Sequence, residues 1–134
     1  MKLDNLVVKR KKSMAVAHLL EHFADDIEVI AGHQGIGRQL YISDLNRPGL
    51  ALSGYLEYFA SDRVQILGNT EIHYMERLSP SELQYRLENM FSFEIPAFLL
   101  SRHLRPSNLF LNMCNERGIP VLSSPLSTDE LISR

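Results

Sequence analysis

The sequence predicts an α/β fold: one compact domain in which a mixed β-sheet is flanked by helices. Three observations point there. Short runs rich in β-branched and apolar residues alternate with longer segments of helical periodicity. Glycine, proline and serine punctuate almost every junction between them. No repeat, low-complexity stretch or linker interrupts the 134 residues, a length that suits one domain able to bury roughly two-thirds of its unfolded surface.

In chain order, residues 1–12 read as an N-terminal extension and residues 13–134 as the domain. Ser13 can cap a helix running to Asp25, with Val16, Leu19, Leu20 and Phe23 on one face. Ile27 to Ala31 reads as a strand. Gly32-His33-Gln34-Gly35-Ile36-Gly37 turns the chain into a short strand at Leu40 to Ile42. Pro48, at a first helical position, opens a helical turn toward Gly54. Val64 to Leu67 is a further strand.

Ser79-Pro80-Ser81-Glu82 combines a capping box with proline at the first helical position, and Leu83, Leu87 and Met90 line the buried face that follows. Ala97 to Leu100 reads as a buried strand. Pro106 opens a helix that buries Leu109, Phe110, Met113 and Cys114; Gly118 ends it and Pro120 blocks its continuation. Val121-Leu122 is the last strand. Ser127 to Glu130 is a second capping box, and a helix capped so near Arg134 is read as one that continues in a longer polypeptide.

Composition excludes several classes. Hydrophobic content of 45% and charged content of 22% are ordinary for a globular protein. A net charge of −2 gives no global attraction to nucleic acid or anionic lipid, and the basic run Lys9 to Lys12 reads as a solvated terminus. Neither partner is expected. A single cysteine, Cys114, rules out an intrachain disulfide framework. No run of about 18 apolar residues predicts a membrane span, and no apolar segment follows the basic N-terminus as a secretory signal would need.

Catalytic patterns are weighed in turn. A phosphate loop of the form G-x-x-x-x-G-K-[ST] needs a lysine after its glycines, yet Lys2, Lys9, Lys11 and Lys12 are the only lysines. His18-Leu19-Leu20-Glu21-His22 fits the H-x-x-E-H pattern of inverted zinc peptidases, but no third ligand is evident and the histidines lie opposite the apolar face, so they are read as exposed helix surface. Gly32, Gly35 and Gly37 reverse the order of the dinucleotide fingerprint and lead into a strand, so they are read as a turn. Cys114 falls beside Phe110 and Met113 and is read as a buried thiol. Tyr55, Tyr58 and Phe59 read equally as a docking patch or as core.

The most specific stretch is Ser43-Asp44-Leu45-Asn46-Arg47-Pro48-Gly49-Leu50-Ala51-Leu52-Ser53-Gly54-Tyr55, followed by Asp62-Arg63-Val64-Gln65-Ile66-Leu67-Gly68-Asn69-Thr70-Glu71. Its arginines offer planar forks suited to carboxylates or phosphates. The structural reading pairs Asp44 or Glu71 with Arg47 or Arg63; the functional one leaves an arginine to bind an anion, aided by the helical turn after Pro48.

These two runs resemble the N-terminal domain of bacterial HPr kinase/phosphorylase, as do Ala97 to Arg102 and Gly118 to Leu122. The resemblance implies a fold similar to the N-terminal domain of Mur ligases. It implies a cytoplasmic, hexameric parent enzyme that phosphorylates a serine of HPr with ATP and magnesium, reverses the reaction with phosphate, and so tunes carbon metabolism through the sugar phosphotransferase system. The catalytic parts, ATP and magnesium would belong to a C-terminal kinase domain beyond Arg134, leaving this chain an inactive assembly or regulatory domain with no catalytic, cofactor-binding or metal residue of its own. The residues that carry over are Ser43, Asp44, Arg47, Pro48, Gly49, Gly54, Arg63, Gln65, Gly68 and Glu71, as a motif for an anion or interface site. The alternative is a free-standing sensor module of the same fold, and an independent enzyme is the least supported reading.

Overall fold

A computed structural model of the chain describes residues 13–15, 27–37 and 39–133. Among the described residues six strands form one mixed sheet in the order β1-β3-β4-β5-β6-β2. They are β1 (Ser13–Ala15), β2 (Glu28–Ala31), β3 (Gln39–Asn46), β4 (Arg63–Leu67), β5 (Phe98–Leu100) and β6 (Val121–Ser123). The four central strands β3 to β6 are parallel, while β1 and β2 close the two edges antiparallel. The described residues also form five α-helices: α1 (Gly49–Leu52), α2 (Asn69–Glu76), α3 (Pro80–Met90), α4 (Asn108–Arg117) and α5 (Thr128–Ser133).

Strands β3, β4, β5 and β6 are neighbours in the order in which the chain makes them. Each crossover therefore steps the same way across the sheet, and crossovers of one hand then stack their helices on one face. The core is divided accordingly. Ala51 and Leu52 of α1, Ile72 and Met75 of α2, Leu83, Leu87 and Met90 of α3, and Phe110, Leu111, Met113 and Cys114 of α4 all pack with Leu67, Phe98, Leu100 and Val121. The alternate strand residues Val64, Ile66, Leu99 and Leu122 point to the other face, where Leu131 of α5 and Leu126 join them. Phe98 and Phe110 meet edge to face at 5.0 Å, with Phe91 against both.

Local chemistry accounts for the boundaries. Ser79 Oγ accepts from the Glu82 amide at 3.2 Å, and Pro80 occupies the first turn of α3. Gly118 ends α4 in the left-handed region at φ 66°. Ser127 and Glu130 form the reciprocal capping box at the start of α5: each backbone amide donates to the other's side chain, at 2.9 and 3.2 Å. The turn at Gly32 to Gly37 holds a short 3-10 helix (His33–Gly35). It packs so tightly that a Cβ on Gly32 would stand 1.9 Å from the Ile119 carbonyl oxygen.

Four expectations need correction. Ser13 to Ala15 form a strand, not the first turn of a helix, because they pair with Gln39 to Tyr41 and complete the sheet edge. The remainder of the expected helix, with His18, Glu21 and His22, lies outside the described residues, as does the extension 1–12. The strand at Leu40 to Ile42 is longer, running from Gln39 to Asn46. Pro48 and Pro106 precede their helices: α1 begins at Gly49, and α4 begins at Asn108 because Ser107 Oγ takes the Phe110 amide as its cap. Helix α2 was not anticipated at all.

Candidate functional site

The parallel strands β3 to β6 end together, and their following loops meet along one edge of the sheet. In open α/β sheets ligands bind outside the carboxyl ends of the strands where the strand order reverses; β3 to β6 do not reverse, and what singles out this edge is the set of loops it gathers. Four residues of the sequence motif reach it: Arg47 after β3, Pro48 before α1, Gly68 after β4, and Glu71 in the first turn of α2.

Glu71 organises this end. It is only 4% exposed, yet it accepts from the Arg47 guanidinium through both carboxylate oxygens, at 3.2 and 3.3 Å, and from the Gly68 amide at 2.8 Å. A buried carboxylate is tolerated when such donors replace its water. Glu71 thus caps its own helix and ties the β3 loop to it. Arg47 is 45% exposed, so the pair sits at the rim. The Arg47 side chain is committed to Glu71, and α1 is a four-residue turn, too short to present a helix terminus to an anion.

Gly68 is needed for close approach. An added Cβ would stand 2.6 Å from Thr128 Oγ1 and 3.5 Å from Ser101 Oγ. Those two hydroxyls are themselves joined, Thr128 Oγ1 donating to Ser101 Oγ at 3.1 Å. Three strand ends therefore converge on one hydroxyl pair.

The other motif residues lie elsewhere. Arg63 begins β4 at the far end of the strand, roughly 16 Å from Gly68 at about 3.3 Å per residue. Gln65 is fully buried in mid-strand; it accepts from Asn46 Nδ2 at 2.7 Å and donates to the Ala60 and Arg63 carbonyls, both at 2.8 Å. Ser43 and Asp44 occupy the part of β3 where its register with β4 shifts between Tyr41 and Leu45. Gly49 starts α1, and Gly54, at φ 106°, follows it beside Arg86. Burial pushes the Cys114 thiol well above its ordinary range. Of the aromatic trio, Tyr55 and Tyr58 are exposed, whereas Phe59 packs edge to face on Phe93 at 5.4 Å. Among the described residues no cluster of histidine, cysteine and carboxylate side chains has the makings of a metal site. No described helix is long and apolar enough to cross a membrane.

Sequence reasoning missed the loop after β5. Arg102 and His103 have φ of 52° and 53°, in the left-handed region that non-glycine residues avoid. Two backbone bonds hold them there: the Arg102 amide donates to the Leu126 carbonyl and the His103 amide to the Ser124 carbonyl, each at 2.8 Å. His103 Nδ1 also lies 3.3 Å from Ser123 Oγ. The clue in the sequence was the run Arg102-His103-Leu104-Arg105 between a strand and Pro106.

The family model described as "HPr Serine kinase N terminus" matches residues 14–134. The chain belongs to this family.

Relatives of the HPr serine kinase N-terminal family bear out the resemblance. The HPr kinase/phosphorylase of Brevibacillus brevis is 37% identical over 119 residues, covering 89% of this chain and 38% of that protein. The one from Bacillus subtilis is 38% identical over 116 residues, covering 87% and 37%. The one from Bacillus licheniformis is 43% identical over 108 residues, covering 81% and 35%. The chain thus spans little more than a third of the length of these relatives. A crystal structure of the CBS and DRTGG domains of the regulatory region of Clostridium perfringens pyrophosphatase, complexed with its activator diadenosine tetraphosphate, shares the fold: the TM-score is 0.55 over 95% of this chain and 47% of that one, at 12% identity.

Proposed function

We propose that the chain serves as the non-catalytic, assembly or regulatory N-terminal domain of a bifunctional HPr serine kinase/phosphorylase. The observation that carries this is the family match over residues 14–134, set beside relatives more than half of whose length lies outside the match. In this reading a C-terminal kinase domain of the same polypeptide binds ATP and magnesium and acts on HPr. The parent assembles as a cytoplasmic hexamer and couples the sugar phosphotransferase system to carbon metabolism. Its fold similarity would extend to the N-terminal domain of Mur ligases.

The geometry of Arg47, Gly68 and Glu71 supports a structural part for the motif, which ties the β3 and β4 ends into one edge. Ser43, Asp44, Pro48, Gly49, Gly54, Arg63 and Gln65 then shape the strands and turn that lead there. The alternative, a free-standing sensor module, has in its favour a fold shared with a regulatory region that binds an activator. The family relatives weigh against it, all three being HPr kinase/phosphorylases in which the matched part is joined to more chain.

The test is direct. Purified 1–134 protein, incubated with HPr, ATP and magnesium, should yield no phosphoserine on HPr by mass spectrometry. The same residues joined to a kinase domain from a relative should yield it. Phosphorylation by the short chain alone would overturn the proposal.

A further inference from the structure

We propose that the loop after β5, residues 101–105, is a binding site for a phosphoryl-bearing anion. The inference goes beyond the family reading and stands on this loop alone. Arg102, His103 and Arg105 lie within four residues and are all exposed. Among the described residues no side-chain hydrogen bond or ion pair engages Arg102 or Arg105. The contrast with Arg47 is sharp, since a buried carboxylate already occupies that guanidinium. Guanidinium groups present planar forks of donors that match phosphate oxygens, and an exposed one without a carboxylate partner is suited to that chemistry.

The loop is also built to hold still. Its two left-handed residues are stitched to the β6–α5 connection by the Leu126 and Ser124 carbonyls, and the Leu104 amide closes the turn onto the Ser101 carbonyl at 2.9 Å. Behind it, Ser101 is 1% exposed and joined to Thr128. Glycine would occupy φ near 52° without strain, yet arginine and histidine stand there. Strain retained at two adjacent exposed positions points to a task for the side chains.

The experiment is a titration of the 15N-labelled chain with inorganic phosphate at constant ionic strength, read by amide shifts. Saturable shifts are expected at Arg102 to Arg105 and at Ser124 to Thr128. Arg105→Ala should weaken binding by about tenfold, as loss of a charge-assisted contact does. Arg102→Gly should weaken it similarly while leaving the melting temperature equal or higher, because glycine relieves the backbone. Acetate, with a single charge and two oxygens, should bind at least about tenfold more weakly than phosphate. The proposal fails if millimolar phosphate leaves these amides unmoved, if the shifts centre on Asn46 to Leu50 instead, if both variants bind as the parent does, or if acetate binds equally well. The readout is independent of HPr phosphorylation, so failure here leaves the family reading intact, and the converse holds.

Discussion

Glu71 shows how one side chain can carry a junction. It accepts three hydrogen bonds while nearly excluded from water, and its partners belong to the β3 loop and the β4 end. Deleting it leaves the buried Gly68 amide without an acceptor, which costs about 1–3 kcal/mol, whereas Arg47 is half-exposed and its pairing is worth about 1 kcal/mol or less. Glu71→Ala should therefore lower the urea midpoint distinctly more than Arg47→Ala; equal losses would mean the Gly68 contact contributes nothing. Gly68 makes a sharper case. Alanine there drives Cβ into Thr128 Oγ1, so Gly68→Ala should destabilise by about 1–3 kcal/mol as overpacking does, and Thr128→Ala should recover part of it. A double-mutant cycle with no coupling would refute the contact. Cys114 gives a prediction in pH. Burial raises its folded-state pKa, so the neutral thiol is the form the fold accepts. The unfolded thiol ionises near pH 8.5 while the folded one does not, so its contribution is complete below that pH and is lost as pH rises above it. Native protein should resist a thiol reagent at pH 8 and react on denaturation.

At the scale of elements, legibility followed local chemistry. Helix α3 could be read because Ser79, Pro80 and Glu82 encode its start within four residues; Ser79→Ala should cost about 1 kcal/mol, measurable as a lowered melting temperature. The end of α4 was legible in Gly118, and the start of α5 in Ser127 and Glu130. Helix α2 was not legible, because Gly68 offers no side chain to cap with and the cap comes from Glu71 inside the helix. Its residues read as motif, not as periodicity. Strand β1 was misread for a different reason: Ser13 suits a helix cap locally, but pairing with β3 decides the outcome, and pairing partners some 26 residues away leave no mark in a local window. The candidate site was half legible for the same reason. Arg47 with Glu71 was one of the pairings that charge allowed among Asp44, Glu71, Arg47 and Arg63, whereas the left-handed backbone at Arg102 and His103 depends on carbonyls of Ser124 and Leu126 supplied by a distant loop.

The whole molecule is ordered from its centre outward. Strands β4 and β5 are buried on both faces, with helices α1 to α4 covering one side and Leu126 and Leu131 reaching the other. Both have parallel partners on each side, so every ladder bond of theirs lies within the sheet. The edges differ: β1 and β2 are short antiparallel strands, and β2 breaks register between Val29 and Ala31. Amides open locally at a free energy that tracks burial and pairing, and only the best-protected exchange through global unfolding. Native-state hydrogen exchange should therefore find Val64 to Leu67 and Phe98 to Leu100 slowest, with protection equal to the global stability, and Ser13 to Ala15 and Glu28 to Ala31 exchanging well before them. Leu87→Ala, which empties a fully buried position and should cost about 2–5 kcal/mol, should speed the central strands by the full loss of stability and change the edges much less. Edge strands that slowed to the rate of the centre would show a sheet that opens only as one unit, and the layered core would then not govern its dynamics.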